Sequence, residues 1–302
     1  MGAAPANGAA GGRGYIAPMP KNPALPTFWL IGDSTVRNGT PGNGSTSGQW
    51  GWGAPLTFYF DPAKVNVVNR AFGGTTSLSF YNAQWKNMVE LIKKGDVVIM
   101  QFGTNSGKGE IAGIGEETAP ATGRGGDPGV NHTFGWYLRQ FIAETRAHGG
   151  TPIVASLVPR NRWDANGKVG RSASTQAGWA RQVAEAEGVA FVDLNEIAGR
   201  KYDALGQTAV AALFAPAGET VHTGWDGSVV LAESVVSGLK ALKPDPLAGY
   251  YSDKGKAIAA VDLSQPEPPV KAPAPAASTT ENPSAPTPAA PPSVMPAVPT
   301  VK

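Results

Sequence analysis

The 302-residue chain has no cysteine. That absence removes disulfides, thiolate zinc sites, iron–sulfur clusters and thiol nucleophiles together, while leaving the redox compartment open. Histidine is almost as scarce. His132, His148 and His222 lie 16 and 74 positions apart, and none pairs with another one helical turn away, as a helical metal site requires. Neither a metal nor another cofactor is expected. Charged residues make up 16% of the chain, and 25 Lys and Arg against 23 Asp and Glu leave a net charge of +2. Without a Lys/Arg-rich run, nucleic acid is not an expected partner. No stretch approaches the ~18 apolar residues of a membrane span. The opening Met1-Gly2-Ala3-Ala4-Pro5 lacks the basic and apolar regions of a signal peptide, so there was none or it has been cleaved.

What the chain has in excess is Gly, 39 residues, and Pro, 27 residues. Twelve of the prolines fall in the last 38 positions, Gln265 to Lys302, among Ala, Ser and Thr and without an apolar period. Such a composition cannot bury a core and reads as a disordered or polyproline-like spacer. The expected organisation is a flexible Gly/Ala/Pro-rich segment over 1–25, one domain over 26–250, and a Pro/Ala-rich tail or linker over 251–302.

Within the domain, short apolar runs alternate with longer segments of helical period. The runs are Thr27 to Ile31, Val65 to Asn69, Asp96 to Phe102, Thr151 to Leu157 and Val189 to Asp193, as expected of buried parallel strands. Helices are predicted at about Thr76 to Lys93, His132 to His148, Ser172 to Glu187 and Asp226 to Lys240, with Gly149 and Gly188 as C-terminal stops. This pattern predicts an α/β fold, a three-layer α/β/α sandwich around a five-stranded parallel sheet. The connection from Thr104 to Asn131 carries eight Gly and no period; it is expected to line or cover the site.

Ligands of open parallel sheets bind beyond the carboxyl ends of the strands. Three of those ends carry polar groups among glycines: Gly32-Asp33-Ser34-Thr35, Asn69 to Thr76, and Gly103-Thr104-Asn105-Ser106. A fourth polar segment, Glu219-Thr220-Val221-His222-Thr223, precedes the last helix. Each alone is weak. A serine after a strand commonly caps a helix, His148 suits the negative end of its helix, and His132 reads as a solvated loop residue. Together they supply one reaction. Acyl transfer needs a hydroxyl (Ser34), a base (His222), a carboxylate to orient the base (Glu219), and neutral donors for the carbonyl oxygen as it turns negative (the Gly74 N–H and the Asn105 amide).

These four blocks, in this order, resemble those of SGNH/GDSL-type hydrolases and, among them, rhamnogalacturonan acetylesterase-like carbohydrate esterases. The resemblance runs from about Pro26 to Leu242. It implies a flavodoxin-like SGNH hydrolase fold, Ser34 as nucleophile, His222 as general base and then acid, and an oxyanion hole of Ser34 N–H, Gly74 N–H and Asn105. Glu219 stands where the family usually has Asp, so a Ser34–His222–Glu219 triad and a Ser34–His222 dyad are both open. Thr104 and Ser106 replace the family's usual His and Asp, and Thr75 replaces a basic residue; these bear on substrate contacts.

Eight Trp are present. Trp29, Trp85 and Trp179 are expected in the core, whereas Trp50, Trp52, Trp136, Trp163 and Trp225 sit in predicted loops, where aromatic faces suit sugar rings. Candidate substrate contacts are Asp33, Thr75, Thr104, Arg160, Trp163 and Trp225. Arg70, Arg162 and Arg171 are further basic groups for galacturonate carboxylates. The expected activity is that of a secreted or periplasmic serine esterase, a monomer, deacetylating pectin-type polysaccharide. The alternatives are an esterase of acetylated xylan or of lipid-like and small esters, and a non-catalytic carbohydrate-binding protein.

Overall fold

In the computed structural model, residues 17–39, 48–121, 129–172 and 174–267 are described; the Pro-rich stretch from 268 onward and residues 1–16 lie outside them. The chain runs through β1 (Thr27–Gly32), α1 (Gly53–Leu56), β2 (Asn66–Asn69), α2 (Ser77–Ala83), β3 (Val97–Gln101), β4 (Thr118–Pro120), β5 (Val130–His132), α3 (Phe134–Ala147) and β6 (Thr151–Ala155). It continues through α4 (Gln176–Glu187), β7 (Ala190–Val192), α5 (Leu194–Leu205), α6 (Gln207–Ala211), α7 (Trp225–Ala241) and α8 (Asp253–Ala257).

Five strands form one sheet in the order β2-β1-β3-β6-β7, and every pairing is parallel. Four of the five lie within the apolar runs, and β1 extends its run by one residue, to Gly32. Successive side chains of a strand point to opposite faces, and both faces here are apolar. Phe28, Leu30, Ile99 and Ile153 join the core beneath α5 and α7, whereas Trp29, Ile31, Val98, Met100 and Val154 join the core beneath α2, α3 and α4. The result is the expected three-layer sandwich. A buried carboxyl locks the centre of the sheet: Asp96 accepts the Thr27 N–H and the Trp29 indole N–H, each at 2.8 Å.

Three expectations are adjusted. The helix predicted over 76–93 is α2 followed by two single 3₁₀ turns, Trp85–Asn87 and Val89–Leu91. The Asn87 side-chain amide takes the Ala83 carbonyl, and the Asn87 N–H turns instead to the Gln84 carbonyl, so the i→i+4 ladder ends there. The 104–131 connection contains an antiparallel pair, β4 with β5, and His132 closes it instead of opening a helix. Packing also continues past residue 250, the edge expected for the domain. Tyr251 is buried, Ile258, Val261 and Leu263 lie against the core, and the Val261 N–H donates to the Ser237 carbonyl at 3.1 Å. At the other end the Asn22 N–H donates to Asn66 Oδ1 at 3.0 Å.

Helix α5 was not anticipated. Its signal is Asp193 three residues ahead of Glu196, an N-terminal capping pattern; Asp193 Oδ1 accepts the Glu196 N–H at 3.3 Å.

Candidate active site

The sheet order reverses direction at β1, with β2 on one side and β3 on the other, and such a switch point opens a crevice at the carboxyl ends. The loops after β1, β2 and β3 carry Ser34, Gly74 and Asn105.

The Ser34 turn is built by its neighbours. Gly32 has φ +157°, and a Cβ there would stand 2.4 Å from the Gln101 carbonyl oxygen and 2.5 Å from Val36 Cγ2, so only glycine lets β1 pass β3 and turn. Asp33 is fully buried. Its Oδ1 accepts the Thr35 N–H at 2.9 Å and the Thr35 hydroxyl at 2.8 Å, while its carbonyl accepts the N–H groups of Val36 and Arg37. Burial pushes the Asp33 carboxyl above the usual range, with the contacts of Thr35 and Thr104 opposing. Asp33 therefore braces the turn from inside, a buried position where a substrate contact was expected.

His222 meets this turn from the far end of the chain. Its Nε2 lies 2.9 Å from Ser34 Oγ, and its Nδ1 lies 3.4 Å from Glu219 Oε2. The second contact is long for a hydrogen bond. Glu219 is held mainly through its other oxygen, Oε1, which accepts the N–H groups of Thr220 and Val221 at 2.8 Å each; Gln49 Nε2 reaches Oε2 at 3.4 Å. Partial burial raises the Glu219 carboxyl, but the Val221 and Thr220 N–H groups and His222 outweigh it and hold it below the ordinary glutamate value. The longer arm of Glu is thus accommodated by folding the carboxylate back onto its own loop. That loop is clamped: the Trp50 N–H donates to the Thr223 carbonyl and the Thr223 hydroxyl to the Trp50 carbonyl, both at 2.8 Å, and the Asn161 N–H donates to the Thr220 carbonyl at 2.9 Å.

Gly74 adopts φ +79° with open space where a Cβ would be. Among the described residues, neither its N–H nor that of Ser34 donates to a protein acceptor. The Gly block is tied to the Ser34 turn by the Phe72 N–H, which donates to the Gly32 carbonyl at 3.0 Å. Asn105 Nδ2 donates one N–H to the Thr75 carbonyl at 3.1 Å, its second N–H takes no acceptor among the described residues, and its Oδ1 accepts from Lys108 Nζ at 3.2 Å.

Sequence reasoning missed Glu110. It is buried, and it joins the two donor blocks by accepting from the Ser77 hydroxyl, from the Ser106 hydroxyl at 2.8 Å and from the Leu78 N–H at 3.3 Å. Burial raises its carboxyl despite these donors. Its spacing to Ser106 alone does not mark it, because the other two partners, Ser77 and Leu78, come from a helix 33 and 32 positions away.

The other candidates separate. Thr75 is buried, and its hydroxyl donates to the Phe72 carbonyl at 2.8 Å. Thr104 borders the site through its carbonyl, which accepts from Arg160 Nη2 at 3.0 Å. The Trp163 indole donates to Asn161 at 2.7 Å beside the His222 loop, and Trp225 is partly exposed, edge-on to Trp50 at 5.0 Å and near the exposed Phe58 at 6.2 Å. Trp50 and Trp52 are buried, and Trp136 stacks on His132 at 3.8 Å; none of these three is an open platform. Arg70 is buried against the carbonyls of Pro18 and Asn87. Arg171 is paired with Asp203 and Glu196. Both are engaged by partners within the fold.

A hydroxyl hydrogen-bonded to an imidazole, a carboxylate behind it and unengaged N–H donors beside it, all at the switch point of a doubly wound sheet, suit ester hydrolysis by acyl transfer. In agreement, residues 30–228 match the GDSL-like Lipase/Acylhydrolase family, and the chain belongs to it. It is 27% identical over 217 residues to a rhamnogalacturonan acetylesterase of Emericella nidulans, covering 69% of this chain and 82% of that protein. It is also 27% identical over 227 residues to the rhamnogalacturonan acetylesterase RhgT of Bacillus subtilis, covering 71% and 89%. The crystal structure of YxiM from Bacillus subtilis superposes with a TM-score of 0.60 at 27% identity over 72% of this chain; the chain spans 56% of that protein's length.

Proposed function

We propose that the protein removes acetyl groups from a plant cell-wall polysaccharide, acetylated rhamnogalacturonan, through an acyl-enzyme intermediate on Ser34. The observation that carries this reading is the 2.9 Å contact between Ser34 Oγ and His222 Nε2. Neutral His222 takes the Ser34 proton as Oγ attacks the acetyl carbonyl, and the carbonyl oxygen, now negative, is received by the N–H groups of Ser34 and Gly74 and the free N–H of Asn105. Collapse breaks the ester bond, and the imidazolium protonates the departing sugar hydroxyl. Water, deprotonated by the same imidazole, then releases acetate and restores Ser34. Glu219 orients the ring and favours its charged form between the two transfers.

Similarity to two named rhamnogalacturonan acetylesterases supports the choice of polymer, and partly exposed Trp163 and Trp225 near the His222 loop support a sugar ligand. In the same reading the enzyme acts outside the cytoplasm as a monomer, one catalytic domain carrying the Pro-rich segment as a spacer. The test is acetate release from acetylated rhamnogalacturonan set against acetylated xylan. Preference for the first is expected, and equal or greater rates on xylan would overturn the assignment of substrate. No turnover of p-nitrophenyl acetate would overturn the catalytic reading itself and leave carbohydrate binding.

A further inference from the structure

Arg37 is a cation beside the site with no anionic partner among the described residues. Its backbone is fixed at both ends of the Ser34 turn, since its N–H donates to the Asp33 carbonyl at 3.1 Å and its carbonyl accepts the Gly51 N–H at 2.9 Å. Its guanidinium lies against Gly73, where a Cβ would stand 2.9 Å from Nη1 and 3.1 Å from Cζ. Gly73 is the residue before Gly74, whose N–H is unengaged.

The guanidinium forms no ion pair or hydrogen bond among the described residues. Its Nε is buried without an acceptor, and burial alone lowers its pKa, with no opposing charge to raise it. Other partly buried arginines of this chain are provided for: Arg171 by Asp203 and Glu196, Arg200 by Glu196, Arg139 by Glu116 and two carbonyls. Desolvating an arginine without a partner costs stability, and the cost is recovered when an anion arrives that matches its planar donors.

The surroundings have the same sign. Lys108 Nζ lies 3.4 Å from the Gly74 carbonyl and 3.2 Å from Asn105 Oδ1, and Arg160 is bound to the Thr104 carbonyl; neither has a carboxylate partner among the described residues. Of the carboxyls that bind these loops, Asp33 and Glu110 are buried, and Glu219 sits behind the His222 ring, 3.4 Å from Nδ1.

We infer that Arg37 is a specificity-determining residue that receives the carboxylate of a uronic acid beside the acetylated sugar, so that the enzyme selects acidic acetylated polysaccharide over neutral. The inference rests on the reading proposed above and names what that reading leaves open, the group on this chain that recognises the polymer's charge.

The experiment compares wild type, Arg37→Gln and Arg37→Lys on acetylated rhamnogalacturonan and on the same polymer with its carboxyls reduced to alcohols, with p-nitrophenyl acetate as a third substrate. Wild type is expected to favour the acidic polymer in kcat/KM by about 10- to 100-fold, the worth of a charged hydrogen-bonded pair, with the difference in KM. Arg37→Gln should abolish that preference and Arg37→Lys restore part of it. If wild type deacetylates both polymers alike, or if Arg37→Gln keeps the preference, the inference falls while the proposed function stands. If wild type cleaves p-nitrophenyl acetate but neither polymer, both fall. The comparison between polymers uses wild type alone, so equal rates overturn the inference even where Arg37→Gln fails to fold, and Arg37→Lys, which keeps the charge, then supplies the second variant.

Discussion

Ser34 Oγ and His222 Nε2 are 2.9 Å apart although 188 positions separate them in the chain. Only the tertiary fold makes that pair, so removing either member tests the site and not the local sequence. Ser34→Ala and His222→Ala should each lower kcat on p-nitrophenyl acetate by on the order of 10⁶-fold, with the far-ultraviolet spectrum and Tm nearly unchanged. Residual turnover above a hundredth of wild type would remove Ser34 as nucleophile.

The neighbouring contact is weaker. Glu219 reaches His222 Nδ1 at 3.4 Å while spending its better hydrogen bonds on Thr220 and Val221. Glu219→Gln and Glu219→Ala are therefore expected to lose about 10²- to 10⁴-fold in kcat. A Glu219→Ala enzyme with full kcat would show that Ser34 and His222 act as a dyad.

The Asn105 amide has one N–H committed to the Thr75 carbonyl and one left over. If that second N–H meets the developing oxyanion, Asn105→Ala should cost about 10²- to 10³-fold in kcat and leave KM for a small ester almost unmoved. A loss confined to KM would make Asn105 a binding group instead.

Glu110 gives a pH signature. Its folded-state pKa is raised by burial, so between the ordinary glutamate value and that raised value the folded protein holds a proton the unfolded chain has lost, and stability falls as pH rises through the window. Glu110→Gln has no such titration. The Tm difference between wild type and Glu110→Gln, followed from about pH 4 upward, should shift in favour of the variant before levelling. A flat difference would show that Glu110 does not titrate abnormally.

The tryptophans divide by burial. Trp52 is fully buried, and its indole donates to Gln101 Oε1 at 2.8 Å, so Trp52→Ala should cost about 3–5 kcal/mol in urea unfolding. Trp225 is partly exposed; Trp225→Ala should raise KM for the polysaccharide with a much smaller loss of stability. The reverse pattern would exchange their roles.

The five strands were legible because parallel strands buried on both faces are written as short unbroken apolar runs, and Phe28 to Ile31 is such a run. Three of the four longest helices, α3, α4 and α7, were legible from their period. Helix α5 was not read, although Asp193 and Glu196 carry its capping pattern, and α2 fell short because a single Asn87 side chain captured a carbonyl, which no period reports. At the site, Ser34, Gly74, Asn105, Glu219 and His222 could be singled out because their chemistry is shared and each sits at a strand end or before a helix. Asp33 and Thr75 are as polar as their neighbours, yet they face inward, and side-chain direction at a turn is set by contacts the sequence does not spell. Arg37 escaped for the complementary reason: what distinguishes it is the lack of a partner among the described residues, which only the folded arrangement of the surrounding charges reveals.

The reciprocal clamp between Trp50 and Thr223 has a mechanical corollary. Ser34, Gly74 and Asn105 are anchored directly to three adjacent strands, whereas the imidazole is delivered by a surface segment held through a few backbone hydrogen bonds to other loops. Warming or mild denaturant can release that segment at a fraction of the free energy needed to open the sheet. Catalysis should therefore vanish several degrees before the circular dichroism melt, making turnover the more sensitive gauge of the protein's integrity.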